Sequence, residues 1–264
     1  MADNRPVGIF DSGVGGLTVF SAVERTLPRE EIIYFGDTAR VPYGTKSGET
    51  VTKFSVENVE FLMKHDVKLV IVACNTASSL SLGFLKKCFR VPIIGVIEPG
   101  ARNAVRSTRN NRIGVAGTTA TVASHAYEKA IKHINPRISV YSRSCPLFVP
   151  LVEEGWTDHK VTREIAASYL APLKTKGVDT LILGCTHYPI LKRVIAKVMG
   201  KRAVLVDSAE EVAKEAAGIL DAAGLLNERG GRKKHKFFVS DGPQHFIRLG
   251  ERFLKRKMDS VKKA

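Results

Sequence analysis

VKLVIVACNT, residues 67–76, is an apolar run that ends in a cysteine followed by an amide and a hydroxyl. The segment VDTLILGCTH at 178–187 repeats this arrangement, and in both segments the cysteine comes seven residues after a valine. A second echo relates VGIFDSGVGG at 7–16 to IGVAGTTATV at 113–122, since each is a strand-like run that opens into glycine and hydroxyl residues. We therefore predict that the chain consists of two related halves.

The order of the predicted elements indicates an α/β fold. Short runs rich in β-branched residues alternate with longer amphipathic patterns that favour helices. Continuous apolar strands of this kind bury both of their faces, as in a parallel sheet covered by helices on both sides. The predicted strands lie at 6–10, 31–36, 68–73, 91–96, 112–117, 137–142, 179–184, 202–207 and 236–240.

The echo predicts two similar open, mainly parallel-sheet domains, with the active site in the cleft between them. The chain has no lengthy linker, but the segments at 95–100 and 205–211 are suitable points for crossing from one domain to the other. We expect the first domain at 1–98 plus 208–264, carrying Cys74, and the second at 99–207, carrying Cys185.

Composition is typical of a globular protein. The chain has 264 residues, of which 44% are hydrophobic, so it can bury a substantial core. Its apolar runs are far shorter than the roughly 18 residues that a membrane-spanning helix needs, and its N-terminus shows no secretion signal. We expect a soluble cytoplasmic protein with no membrane association.

The net charge of +15 favours association with polyanions or with an acidic small molecule. The densest basic stretch, RGGRKKHK at 229–236, contains a glycine pair between two helix-like segments, so we interpret it as a solvated loop. No nucleic-acid-binding motif accompanies it, and nucleic acid is not the expected partner. A basic protein that binds nucleic acid or an acidic partner is the alternative from a different functional class.

The four cysteines indicate free thiols. They lie at 74, 88, 145 and 185 without C-x-x-C spacing, so neither a disulfide framework nor a zinc site is expected. Cys88 and Cys145 belong to no polar constellation and are expected to be packing residues. His187 could serve as a metal ligand, but Cys74 and Cys185 would be its only companions, and we predict no metal site.

Cys74 and Cys185 each follow the last apolar residue of a predicted strand, where the ligand site of an open parallel sheet lies. If the two sheets face each other at these edges, both thiols point into one cleft. One thiolate could then remove a proton from a substrate carbon while the other thiol returns a proton to the opposite face, which inverts a stereocentre. A catalytic thiol needs a nearby base or a positive field, and His187 is the candidate for this role. A single buried cysteine at a strand end is more often a core residue, so this prediction depends on the pair.

Polar groups beside the predicted helix N-termini favour a small carboxylate as the ligand. Asn75, Thr76 and Thr186 follow the cysteines, and the turns at 11–19 and 117–121 present further backbone N–H groups. Such residues are usually only helix caps, so the signal is weak by itself. The absence of a P-loop lysine pattern argues against a nucleotide.

The chain resembles the cofactor-independent glutamate racemases in seven motifs: GIFDSGVGGLTV, YFGDTARVPYG, VACNTASS, GTTAT, PLFVPLVEEG, LGCTHYP and FFVSDGPQHF. They occur in that family's order across nearly the whole chain. The resemblance implies a two-domain α/β fold and the interconversion of L- and D-glutamate, which supplies D-glutamate for bacterial peptidoglycan synthesis. It does not explain the basic stretch at 229–236 or the lysine-rich C-terminus.

The resemblance also implies roles for individual residues. Cys74 looks like the base for D-glutamate and Cys185 like the base for L-glutamate, with Asp11 assisting the first and His187 with Glu153 assisting the second. The catalytic residues implied are therefore Asp11, Cys74, Glu153, Cys185 and His187, with Glu154 as the adjacent rival of Glu153. The substrate-binding residues implied are Asp11, Ser12, Pro42, Tyr43, Gly44, Asn75, Thr76, Thr118, Thr121, Thr186 and His187.

Three further expectations follow from the resemblance. The substrate is glutamate, no cofactor such as pyridoxal phosphate is needed, and a homodimer is compatible with the family, although the residues give no sign of the oligomeric state. Racemisation of aspartate or another acidic amino acid is an alternative, because the sequence does not reveal the length of the pocket.

Overall fold

Two separate parallel sheets form the framework of the molecule. The computed structural model describes residues 3–228, 234–258 and 260–264. The first sheet has the order β10-β9-β2-β1-β3-β4 and contains β1 (Val7–Asp11), β2 (Ile32–Gly36), β3 (Leu69–Val72), β4 (Ile93–Gly95), β9 (Lys236–Val239) and β10 (Val261–Lys263). The second has the order β6-β5-β7-β8 and contains β5 (Arg112–Gly117), β6 (Ser139–Ser144), β7 (Thr180–Gly184) and β8 (Val204–Val206).

Helices connect and cover these strands. They are α1 (Leu17–Thr26), α2 (Gly48–Met63), α3 (Asn75–Cys88), α4 (Ile97–Ser107), α5 (Thr119–Ala123), α6 (Ala126–Ile134), α7 (Phe148–Glu153), α8 (Lys160–Thr175), α9 (Lys192–Met199), α10 (Ala209–Ala222) and α11 (Pro243–Leu254). Short 3₁₀ turns lie at Tyr43–Thr45 and Tyr188–Leu191. All the strand pairs are parallel, so the predicted α/β class with two parallel sheets is confirmed.

The nine predicted strands are all present, but β10 was not predicted. Val261–Lys263 pairs with Phe237–Val239 of β9 at the open edge of the first sheet. Its sequence, Val-Lys-Lys, has no apolar pattern because two of its three side chains are exposed to solvent. Pairing with the edge of β9 determines this strand, whereas its own residues carry little strand signal.

The two halves share one strand order. β2-β1-β3-β4 in the first sheet corresponds to β6-β5-β7-β8 in the second. Leu69 on β3 and Thr180 on β7 occupy corresponding register positions opposite β1 and β5. Cys74 and Cys185 each lie five residues after these positions. The echo in the sequence is therefore a repeat in the fold, and it places the two cysteines at equivalent points.

The two sheets share a continuous hydrophobic core. One cluster of buried side chains contains Ile9 and Ile71 of the first sheet together with Ile113 and Ile182 of the second. Each such side chain contributes about 1.5–3 kcal/mol when it is fully buried. Helices α4 and α10, which lie at the predicted domain boundaries, pack on each other and on strands of both sheets. The boundaries at 98/99 and 207/208 stay a prediction.

Three further predictions from the sequence concern membrane-spanning helices, the cysteines outside the cleft and the basic stretch. Within residues 3–228, 234–258 and 260–264, no helix is long and apolar enough to cross a bilayer. Cys145 is buried as expected, but Cys88 is exposed, so its prediction as a packing residue is wrong. Cys88 lies one turn after the exposed Phe84 on the same face of α3, which points to solvent. Most of the predicted basic loop, residues 229–233, lies outside the described residues.

Candidate active site

A narrow cleft lies between the two sheets, where the carboxyl ends of β1, β3, β5 and β7 come together. The cavity within this cleft is small, with a volume of about 20 Å³. The first half contributes Ser12, Val41, Pro42, Tyr43, Gly44, Cys74, Asn75 and Thr76 to the wall, and the second contributes Thr118, Val149, Cys185, Thr186 and His187. The two cysteines therefore line the same cavity, although they belong to different sheets.

Cys74 lies directly before α3 and is nearly buried, with 5% of its surface exposed. Its Sγ atom lies 3.7 Å from the hydroxyl oxygen of Ser12. Burial raises the pKa of the Cys74 thiol to about 12, and the nearby charge of Asp11 adds to the rise. Cys74 is therefore a neutral thiol near pH 7 and can donate a proton.

Asp11, at the end of β1, lies behind the cleft wall and is fully buried. Its carboxylate accepts hydrogen bonds from the backbone N–H of Gly13 at 3.0 Å and from the hydroxyl of Thr186 at 3.3 Å. Burial raises the pKa of Asp11 above its usual value, while the charge of His187 and these hydrogen bonds oppose the rise. Because Thr186 belongs to the second half, this carboxylate connects the two sides of the cleft.

Cys185 has an imidazole as its neighbour. Its Sγ atom lies 3.9 Å from Nδ1 of His187, and Nε2 of the same ring lies 3.1 Å from Oε1 of Glu153. Burial alone would lower the pKa of His187, but hydrogen bonds to Cys185 and Glu153 outweigh it and raise the pKa to about 10. The ring is therefore an imidazolium near pH 7 and can stabilise a thiolate on Cys185. Glu154 is exposed, which favours Glu153 as the partner of the imidazole.

Three threonine hydroxyls, one from the first half and two from the second, contact one another at the cleft. The oxygen of Thr76 lies 2.9 Å from that of Thr118 and 3.2 Å from that of Thr121. The hydroxyl of Thr118 donates to Thr121 at 2.9 Å. We call these three side chains the hydroxyl triangle. It presents groups that can both donate and accept hydrogen bonds, and it links α3 to the N-terminus of α5.

The loop at 41–45 forms another part of the wall. It contains a cis peptide bond between Val41 and Pro42 and then the 3₁₀ turn that starts at Tyr43. The hydroxyl of Tyr43 donates to the buried carboxylate of Asp37, which anchors the loop. A Cβ on Gly44 would lie 2.5 Å from Cβ of Thr118, so the loop can approach the second half this closely only with glycine at that position.

Asn75 contributes a buried acceptor to the cleft. Its Oδ1 atom has no hydrogen-bond partner within the part of the chain that the structure describes. A buried polar atom without a partner is costly, so an oxygen beside a cleft favours a ligand that carries an N–H or O–H donor. No group of three or more His, Cys, Asp or Glu side chains in the described residues is arranged to hold a metal ion.

The structure brings all the predicted site residues together. Asp11, Glu153 and Thr121 lie behind the wall and contact residues that line it, and the other predicted residues line it directly. Sequence reasoning missed Val41 and Val149, which also line the cleft. Both lie inside motifs that were recognised, but an aliphatic side chain in such a motif cannot be told from a core residue.

Comparison with known proteins agrees with this geometry. Residues 10–216 match the Asp/Glu/Hydantoin racemase family. The chain belongs to this family. Within it, the chain is 56% identical over 257 residues to a glutamate racemase from Geobacter metallireducens, covering 97% of this chain and 95% of the relative. It is 49% identical over 262 residues to a glutamate racemase from Chlorobaculum tepidum, covering 99% and 96%.

Solved structures of racemases share the fold. Glutamate racemase isoform RacE1 from Bacillus anthracis matches with a TM-score of 0.95 and 41% identity, covering 99% of this chain and 98% of that one. Glutamate racemase from Francisella tularensis in complex with D-glutamate matches with a TM-score of 0.93 and 40% identity, again covering 99% and 98%. These proteins therefore resemble the present chain over nearly its whole length.

Proposed function

We propose that this protein interconverts L- and D-glutamate by moving the Cα proton between two thiols, and that it supplies D-glutamate for peptidoglycan synthesis. One observation carries the proposal: Cys74 and Cys185 come from different sheets and line a single cavity. A carbon held between them has a thiol on each face. The high identity to proteins named glutamate racemase supports glutamate as the substrate.

The reaction needs one base and one acid at a time. For L-glutamate, the thiolate of Cys185 takes the Cα proton, and the electron pair of the broken C–H bond stays on the substrate as a carbanion. The thiol of Cys74 then protonates Cα from the opposite face, which gives D-glutamate and leaves a thiolate on Cys74. For D-glutamate, the two cysteines exchange roles.

The residues around each thiol suit these roles. The imidazolium of His187, held by Glu153, stabilises the thiolate of Cys185 before the proton moves. The high pKa of Cys74 keeps its proton in place until a strongly basic carbanion forms. Asp11 is a buried carboxyl with a raised pKa, so its protonated form can accompany the thiolate that Cys74 becomes during turnover.

The carbanion must be stabilised, because a Cα proton is much less acidic than a thiol. We assign this to preorganised hydrogen-bond donors in a cleft with little room for water. The unpaired Oδ1 of Asn75 is suited to accept a hydrogen bond from the substrate's ammonium group. The polar groups that would hold the carboxylates are Ser12, Thr76, Thr118, Thr121 and Thr186, with the backbone of Pro42, Tyr43 and Gly44 closing the site.

Incubation of each pure enantiomer in heavy water tests the mechanism. Each thiol exchanges its hydrogen with solvent, so deuterium should enter the inverted product early, while recovered substrate keeps hydrogen at Cα. Optical rotation and mass spectrometry of the separated enantiomers measure both. Equal labelling of recovered substrate and product would point to one exchanging base and would contradict the two-thiol proposal.

A direct comparison of substrates tests the choice of glutamate. We expect kcat/KM for L-glutamate to exceed that for L-aspartate by at least about a hundredfold, because an acid one methylene shorter cannot reach both ends of a site built for glutamate. Aspartate racemase from Picrophilus torridus shares only the fold, with 18% identity and a TM-score of 0.58. Faster turnover of L-aspartate than of L-glutamate would contradict glutamate as the substrate and would favour aspartate.

An enzyme that feeds peptidoglycan precursors would work in the cytoplasm, which cell fractionation checks. Homodimer formation stays a prediction, and light scattering of the purified protein tests it. Nucleic-acid binding, the alternative from another class, would appear as association that weakens steeply with salt and survives loss of both cleft thiols.

A further inference from the structure

The C-terminal helix α11 reaches the active site from outside the cleft. Phe246 and Leu249 on this helix are buried in the core that both sheets share. Phe253, near its end, is partly buried and packs both on that core and on a second cluster made of residues from the second half. In sequence, α11 lies between β9 and β10 of the first sheet. Phe253 therefore connects the first half to the interior of the second.

Phe253 contacts the ring of His187. The two ring centroids lie 5.9 Å apart, and the ring planes are nearly perpendicular at 85°. This edge-to-face arrangement is favoured between aromatic rings. Cys185 and Glu153 engage only the two nitrogen atoms of the imidazole. Contacts at the two nitrogen atoms still allow the ring to tilt, and packing against Phe253 restricts this tilt.

The residue before Phe253 contacts the turn that follows Glu153, the other partner of the imidazole. A Cβ on Gly155 would lie 2.5 Å from Nη1 of Arg252, so the guanidinium lies directly against this glycine. Gly155 follows α7, whose last residue is Glu153. The end of α11 therefore contacts His187 through Phe253 and the turn after Glu153 through Arg252.

We propose that Phe253 is a positioning residue for racemisation, which holds the imidazole of His187 in line with Cys185. This inference rests on the proposed function and extends it to a residue that does not line the cleft. The Sγ to Nδ1 distance of 3.9 Å is already long for a hydrogen bond to sulfur, so a small tilt of the ring separates the pair. Misplacement of a catalytic group by about 1 Å can cost about a hundredfold in rate.

Three variants test the proposal through kinetics. Phe253→Leu keeps an apolar side chain without the ring and should lower kcat about tenfold with KM changed less than about twofold. Phe253→Trp keeps an aromatic ring and should recover kcat to within about threefold of wild type. Leu254→Ala is the matched control, since Leu254 packs on the shared core but is absent from the second cluster. It should leave kcat unchanged even where it lowers Tm.

NMR titration of histidine-labelled protein gives a readout that does not depend on activity. The charged and titratable groups that act on His187 are Cys185, Glu153 and Asp11. In Phe253→Leu, the midpoint of the His187 resonance should fall by about one pH unit as the ring leaves its partners, and in Leu254→Ala it should not move. The resonance is assigned by its loss in His187→Gln.

The outcomes separate this inference from the proposed function. Wild-type kcat together with an unmoved His187 midpoint in Phe253→Leu would overturn the positioning role. Equal losses in Phe253→Leu and Leu254→Ala that follow Tm would also overturn it, because they indicate a structural role only. If the wild-type protein does not racemise glutamate, the proposed function fails, whereas the NMR titration still decides whether Phe253 holds the imidazole.

Discussion

The two halves of the molecule repeat one strand order, yet they surround their cysteines with different chemistry. On the shared register, Asp11 at the end of β1 corresponds to Gly117 at the end of β5. Thr76, two residues after the first cysteine, corresponds to His187, two residues after the second. One half therefore has a buried carboxyl and a hydroxyl where the other has a glycine and an imidazole.

This difference shows how a repeated backbone fold can hold two cysteines in different chemical environments. The repeated backbone brings two thiols to one cavity, and the side chains at equivalent positions give them different neighbours. Burial and the charge of Asp11 raise the pKa of Cys74, whereas a cationic imidazole lies 3.9 Å from Cys185. Two like groups whose environments differ in this way are typical of an acid and base pair.

Removing either thiol should have the largest effect. We expect Cys74→Ser and Cys185→Ser each to lower kcat/KM by about a thousandfold or more, since a serine hydroxyl is a far weaker acid than a thiol and does not ionise near neutral pH. The loss must be equal in both directions, because L- and D-glutamate have the same free energy. Polarimetry measures it, and circular dichroism checks the fold. Cys88→Ser, at an exposed site, is the control and should keep full activity.

The second prediction removes the imidazolium. His187→Gln keeps a hydrogen-bonding side chain near Cys185 but no cation, so we expect kcat/KM to fall about a hundredfold. Asp11→Asn should cost less, because burial is the larger cause of the raised pKa of Cys74 and remains in the variant. Steady-state kinetics of both variants at one pH decide the order. A larger loss in Asp11→Asn than in His187→Gln would mean that Cys74 depends on its charged neighbour more than Cys185 does.

A third prediction concerns the close approach of the two halves beside Cys185. A Cβ on Gly15 would lie 2.3 Å from Oγ1 of Thr186 and 2.6 Å from Nδ1 of His187. Gly15→Ala should therefore displace the imidazole and lower kcat/KM about tenfold. Gly13→Ala is the matched control in the same turn, since its Cβ would meet nothing closer than Val41 at 3.4 Å. Equal activity of the two variants would contradict this account.

The smallest expected effect is on stability as a function of pH. Folding raises the pKa of His187 from its usual value of 6.5 to about 10, so the folded state holds this proton more tightly. The resulting stabilisation is complete below pH 6.5 and is lost as the pH rises through 10. Thermal unfolding should thus show a Tm advantage of wild type over His187→Gln that shrinks across this range. A constant difference would argue against a charged imidazole.

The sequence predicted the frame and the centre of the site because their signals are local. β3 and β7 are continuous apolar runs, and the residue after such a run in an open parallel sheet faces the ligand. Other features depend on contacts between distant segments. β10 forms because the edge of β9 is open, Val149 resembles a core residue, and Phe253 lies on an ordinary amphipathic helix far from the cysteines in sequence. The residue pattern within each of these segments does not reveal which distant segment it contacts.

An anion that enters the cleft meets the hydroxyl triangle of Thr76, Thr118 and Thr121 already saturated by its own members. Each hydroxyl has one hydrogen on a rotatable bond, so torsion can turn the hydrogens of Thr76 and Thr118, which line the cleft, toward a negative charge. The exchange replaces neutral contacts with stronger charge-assisted ones. Because the triangle spans both halves, an anion bound to Thr76 and Thr118 would also link the two halves.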